Sequence, residues 1–234
     1  MLTHALQDVL LRLENAARAA QRPVPRLLAV SKTQPATAVA ELAACGQRAF
    51  GENYVQEAAA KQAQLNALAL EWHLIGHLQS NKAREAAVLF DWVQTVDRAK
   101  LVQALALHRP ADRAPLNVLI QVNIDDESSK HGCRPDEVAA LAAAVAGEPR
   151  LRLRGLMVIP QPHPDIEQRR GAFRRTRELF EALQHDHPDA DTLSMGMSDD
   201  CPIAIAEGAT MVRVGTALFG SRPAKPHTPD HSHA

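Results

Sequence analysis

The sequence predicts a single (β/α)8 barrel, an α/β fold, preceded by one extra helix. Three observations carry this reading. Eight short apolar runs with strand character alternate with seven longer stretches of helical spacing, as in parallel β/α units whose sheet is covered on both faces. Eight such units within 234 residues match a closed barrel. The turn after the first run, "VSKTQP", has no glycine, whereas an open doubly wound sheet prefers a Gly-rich turn there.

The elements follow in order. The opening "MLTHALQDVLLRLENAARAAQ" lacks a basic leader and carries Asp8 and Glu14. It reads as the extra amphipathic helix and not as a signal peptide. Strands are expected at residues 27–30, 48–50, 72–75, 92–96, 117–123, 153–159, 192–195 and 211–214. Helices fall between them at 35–45, 54–68, 82–90, 98–108, 136–146, 166–184 and 202–207, and "GTALFGSR" opens another. Pro35 and Pro135 suit first helical turns, and Gly46 and Gly208 suit the left-handed residue that ends a helix. Residues 1–222 form the barrel on this reading. Residues 223–234, rich in proline and histidine, form a disordered tail whose three histidines offer at most weak metal binding.

Composition excludes several classes. Apolar residues are 46% and charged residues 23%, ordinary values for a globular protein. A net charge of -1 gives no electrostatic reason to expect nucleic acid or an anionic membrane as partner. No window approaches the length of a bilayer-spanning apolar run. The arginine-rich "EQRRGAFRRTREL" reads as the solvated face of a helix that turns Phe173, Leu179 and Phe180 inward. Three scattered cysteines, Cys45, Cys133 and Cys201, make neither a disulfide framework nor a metal knuckle. They point to a reducing, cytoplasmic setting and to no metal centre.

Function in such a barrel sits at the C-terminal ends of the strands. There the sequence places Lys32, then "GENY" with Glu52 and Asn53, then His77. Asp97 and the "DDESSKHG" loop follow, and finally "SMGMSDD" and Arg213-Val214-Gly215-Thr216. The loops after strands seven and eight are the usual phosphate site of the fold. Gly196 and Gly215 permit close approach of backbone amides, and Ser198 and Thr216 add hydroxyl donors. The alternative is that these are ordinary turn and cap residues.

Lys32 is the amine beside that site, because strand one neighbours strand eight in a closed barrel. A strand-end lysine reaching water is the other reading. A small molecule with an aldehyde at one end and a phosphate at the other suits the pair, and pyridoxal 5'-phosphate (PLP) is that molecule, held as a Lys32 Schiff base. Arg213 pointing inward would face the cofactor ring and disfavour a protonated ring nitrogen. The alternative is an ion pair across the barrel with Glu52.

The motifs "AVSKTQP", "FGENYVQEAAAK", "WHLIGHLQSNKAR", "VLIQVNIDDESSKHG", "LRGLMVIP", "SMGMSDD" and "TMVRVGTALFG" together resemble the YggS/PROSC family of pyridoxal phosphate homeostasis proteins. The matches run in order over residues 27–222. The resemblance implies the fold-type III PLP barrel seen in the N-terminal domain of alanine racemase, with the cofactor on Lys32. It assigns the phosphate to Ser198 and the Gly215-Thr216 turn, Arg213 to the ring nitrogen, Asn53 to the pocket wall, and Met195 and Gly196 to its lining. It implies a carrier and buffer in vitamin B6 homeostasis, with PLP-dependent apo-enzymes as partners.

The rival reading is a PLP-dependent amino-acid racemase. Racemases add a β-rich second domain, for which the sequence leaves no room after strand eight, so a monomer is expected. They also use an opposing base. The lone tyrosine, Tyr54, stands beside the pocket, and His77 is the best substitute. A non-catalytic role with no catalytic residues is therefore expected. Lys130 in the loop after strand five offers a second amine for passing the cofactor on.

Overall fold

The computed structural model describes residues 2–125, 127 and 131–220. Helix α1, Leu2–Ala20, buries Leu6, Val9, Leu13 and Ala17 along one stripe, the spacing of an amphipathic surface helix. The parallel strands are β1 Arg26–Val30, β2 Ala49–Glu52, β3 Glu71–Leu74, β4 Trp92–Val96, β5 Leu116–Val122, β6 Leu151–Val158, β7 Thr192–Met197 and β8 Met211–Val214. They form a closed barrel in sequence order, with β8 returning to pair with β1 through Leu28↔Arg213 and Ala29↔Val214. The helices between them are α2 Ala36–Ala44, α3 Val55–Gln64, α4 Ala83–Leu89, α5 Ala99–His108, α6 Val138–Ala146, α7 Ile166–Asp186, α8 Cys201–Ala206 and α9 Thr216–Phe219. The (β/α)8 barrel with its extra first helix stands as the sequence predicts.

Two strands run further than their apolar runs suggest. β2 takes in Gly51 and Glu52, which pair with His73 and Leu74. β7 takes in Gly196 and Met197, and the β7–β8 register shifts between Ser194 and Met197. In both cases backbone pairing with a neighbour extends a strand past its hydrophobic residues. The tail 223–234 and Lys130 lie outside the described residues.

Strand alternation sorts the core into two shells. Leu27 and Ala29 join the large cluster under the helices, whereas Leu28 packs inside the barrel with Ala49 and Met211. Trp92, Leu119 and Met157 make a second interior cluster. Polar residues fill the space between. Buried Gln94 contacts His73 Nδ1 at 2.9 Å and accepts from Ser194 Oγ at 2.7 Å. These inward polar groups satisfy one another across the barrel, whereas Gln121 Oε1 finds no partner among the described residues.

Candidate functional site

A cavity of about 560 Å³ opens at the C-terminal ends of the strands, lined among others by Lys32, Asn53, Ser198, Arg213, Gly215 and Thr216. Six of the eight residues expected from the sequence therefore meet in one place. Met195 and Gly196 do not line it. Met195 is fully buried in the cluster under the helices. Gly196 has φ +93°, and a Cβ there would lie 2.6 Å from the Ala204 methyl, so its bare backbone serves the packing of α8. The register shift at the end of β7 turns Met197 to the cavity instead.

Lys32 follows β1 by two residues, and the chain around it is tied down from behind. Ser31 Oγ donates to Glu52 Oε1 at 2.5 Å. The buried ammonium of Lys61, on α3, donates at 2.7 Å to the Ser31 carbonyl, to Glu52 and to Glu57. Glu57 also accepts from the Thr33 amide at 2.5 Å. Thr33 has φ +65°, an uncommon conformation for a β-branched residue that persists only where its surroundings impose it. Peptides on both sides of Lys32 are thus anchored to one ion cluster.

Glu52 belongs to that cluster and not to the cavity. It is fully buried on the helix side of β2, and burial raises its pKa against the opposing pull of Lys61 and Ser31. The ion pair between Glu52 and Arg213 considered from the sequence does not form, because adjacent-residue alternation puts Glu52 on the opposite side of the sheet from the barrel interior. Arg213 instead donates through Nη1 to the Ser194 carbonyl and hydroxyl, both at 2.9 Å, and through Nη2 to the Val158 carbonyl at 2.8 Å. Desolvation pushes its pKa down to about 10, which leaves it charged at neutral pH.

The neighbouring loops shape the cavity. A Cβ on Gly76 would stand 2.2 Å from the Asn53 carbonyl oxygen, so only glycine lets β3 approach Asn53 this closely. The Ser198 carbonyl accepts from Arg12 Nη2 at 3.2 Å, which ties the first helix to the loop after β7. Asp200 accepts from the Met197 amide.

Sequence reasoning missed the loop after β6. Pro160, Pro162 and His163 line the cavity, as does Arg169. Arg169 Nε is buried and has no hydrogen-bond partner among the described residues. Its position in the first turn of the helix after a strand was the available signal, since those turns form the functional face of the barrel. The other arginines of that helix are paired: Arg177 bonds Glu207 at 2.9 Å and Arg175 bonds Asp125 at 3.1 Å. Arg170 and Arg174 each lie 3.9 Å from Glu207. Tyr54 is 63% exposed. His77 stacks on His131 and not on the cavity wall, and partial burial with the neighbouring His131 lowers its pKa.

Fold and cavity together define a (β/α)8 barrel with a lysine at the mouth of its first strand and a hydroxyl-bearing pocket beside it, in which Arg169 and Arg213 share the lining with Asp199 and Asp200. The chain belongs to the family of the alanine racemase N-terminal domain, which it matches over residues 6–223. It is 55% identical over 219 residues to the pyridoxal phosphate homeostasis protein of Pseudomonas aeruginosa PAO1, covering 93% of this chain and 94% of that one. PipY of Synechococcus elongatus PCC7942 superposes with a TM-score of 0.85 in its structure without PLP, at 40% identity, covering 94% of this chain and all of that one. The PipY structure with PLP bound gives 0.81 at 38% identity. Alanine racemase from Corynebacterium glutamicum shares the fold at a TM-score of 0.64 and 18% identity, over 94% of this chain and 62% of that one.

Proposed function

We propose that this chain binds pyridoxal 5'-phosphate covalently through Lys32 and carries and buffers it in vitamin B6 homeostasis, without catalysing a reaction of its own. The observation that carries the reading is the meeting of Lys32 with Ser198, Gly215 and Thr216 in one cavity. The cavity falls within the usual range for small-ligand sites, roughly 300–1,000 Å³. Its Arg169 Nε, without a partner among the described residues, and its charged Arg213 suit a molecule that is anionic at one end. The relatives' names and the PLP-bound PipY structure point the same way.

Bound PLP supplies an aldehyde that amines can capture and exchange. The chain's residues then divide the work. Lys32 forms the covalent link. Ser198 and Thr216 donate hydroxyl hydrogen bonds to the phosphate, with the Gly215-Thr216 backbone alongside. Arg213 stands by the ring nitrogen, Asn53 forms the wall, and Met195 and Gly196 support the loop from behind. A cation fixed beside that nitrogen opposes its protonation and so weakens the electron withdrawal that racemisation needs. Apo-enzymes that require the cofactor are the acceptors.

The test is borohydride reduction of the purified protein followed by peptide mass spectrometry. The pyridoxyl label should fall on the Lys32 peptide, and Lys32→Ala should lose both label and visible absorbance. A label on another lysine with Lys32 unmodified would remove the proposed attachment.

A further inference from the structure

Away from the cavity, the same face of the barrel carries a second group of side chains. His77 follows β3, Asp97 follows β4, and His131 lies between β5 and α6. One ligand atom from each lies within 4.8 Å of the other two. The imidazoles of His77 and His131 are stacked, with centroids 3.7 Å apart and planes 13° from parallel. Asp97 Oδ1 is held by Arg98 at 2.5 Å, while Oδ2 stands 4.0 Å from His77 Nδ1. None of the three lines the Lys32 cavity, and none takes part in the proposed cofactor site.

We propose that His77, Asp97 and His131 bind one first-row divalent transition-metal ion of the Zn²⁺ type. Two imidazoles and one carboxylate are the donor set that suits such ions, whereas Ca²⁺ and Mg²⁺ favour all-oxygen shells. Three protein ligands leave one position for water, as in open zinc sites. Bond lengths of about 2.0–2.2 Å place tetrahedral ligand atoms roughly 3.4 Å apart, so the set closes around an ion only when the His131 ring turns out of its stack on His77 and the two nitrogen lone pairs converge. Asp97 directly follows β4, which fixes that ligand on the barrel, whereas His77 lies three residues past the end of β3. His131 is exposed and free of the core, which lets it move to complete the set. The Arg98 contact orients the Asp97 carboxylate in the way that outer partners orient metal ligands.

The experiment uses the full chain with His227, His231 and His233 of the tail changed to alanine, because they compete for the same ions. Co²⁺ is titrated in and followed by its visible d–d absorption. Zn²⁺ affinity is then measured by competition with a chromophoric chelator. The expected result is about one ion per chain. His77→Ala, His131→Ala and Asp97→Asn should each weaken binding by roughly tenfold or more, since even outer-layer partners contribute that much. Circular dichroism should stay unchanged, which separates ligand loss from unfolding. Absence of a Co²⁺ signal in the tail-substituted protein, or equal Zn²⁺ affinity in all three variants and their parent, overturns the site.

Discussion

Replacing Lys61 with methionine removes one ammonium and keeps the stem of the side chain. In the parent that ammonium holds the Ser31 carbonyl, Glu52 and Glu57, each at 2.7 Å. Without it the fully buried Glu52 keeps only the Ser31 hydroxyl as partner among the described contacts. Removing one member of a buried ion pair costs about 3–5 kcal/mol, a large share of a typical total of roughly 5–15 kcal/mol. Glu52 can escape part of this by taking up a proton. Its folded pKa already lies above the ordinary 4.5. Such a carboxyl favours the fold below its unfolded pKa and loses that advantage as pH rises through its folded pKa. Loss of Lys61 lifts the upper edge of that window. The deficit of Lys61→Met should therefore be small near pH ~5 and grow towards pH ~8, by up to about 1.4 kcal/mol per pH unit inside the window. Urea unfolding of variant and parent across that range measures it. The double variant with Glu52→Gln should recover much of the loss at the high end, because no buried charge is then stranded. Covalent cofactor retention should fall in Lys61→Met as the Ser31 and Thr33 anchors loosen. A deficit that does not change with pH, or one below about 1 kcal/mol at pH ~8, would refute the account of the cluster.

Two further outcomes follow from the cavity. Ser198→Ala and Thr216→Val should each weaken PLP binding by roughly tenfold or more, because hydrogen bonds to charged groups contribute about 1.5–3 kcal/mol and 1.4 kcal/mol is tenfold; equilibrium dialysis against PLP checks this, and unchanged affinity in both would move the phosphate elsewhere. The PLP-loaded protein should not interconvert L- and D-alanine, and turnover on the order of 1 per second or more by chiral chromatography would establish a racemase instead.

The barrel was legible because its signals are local. Each strand is a short apolar run and each helix a stripe, so order and count follow from periodicity alone. The cavity residues Lys32, Ser198, Gly215 and Thr216 were legible for the same reason, being polar side chains or a glycine within two residues of a strand's end. What escaped depends on contacts between distant elements. β7 runs on through Gly196 to Met197, where β8 pairs with it again through Arg213 after a register shift, and that extension decides which methionine faces the cavity. Glu52 reads as a loop residue until β3 pairing draws it into β2 and onto the side of α3. Arg169 was hidden within a run of five arginines, and only the end of the barrel on which the helix begins sets it apart from Arg170, Arg174, Arg175 and Arg177.

Arg213 shows how the interior of the barrel bears on the proposed role. A buried guanidinium is costly unless each face meets an acceptor. Here the acceptors are the Val158 carbonyl on β6 and Ser194 on β7. Ser194 donates its hydroxyl hydrogen bond to the Gln94 amide oxygen on β4, and Gln94 contacts His73 on β3, whose other ring nitrogen meets Glu71. Burial lowers the pKa of His73, so at neutral pH this line of groups carries its positive charge at the Arg213 end. Four strands thus hold one cation at the floor of the cavity. The guanidinium cannot turn away without leaving the Ser194 and Val158 acceptors unpaired, and it cannot lose its proton at neutral pH with a pKa of about 10. A side chain fixed in both position and charge binds an electron-rich ring nitrogen well and gives a protonated one no welcome. In the proposed site that favours holding PLP over activating it, and the preference arises from packing across the whole barrel and not from the cavity residues alone.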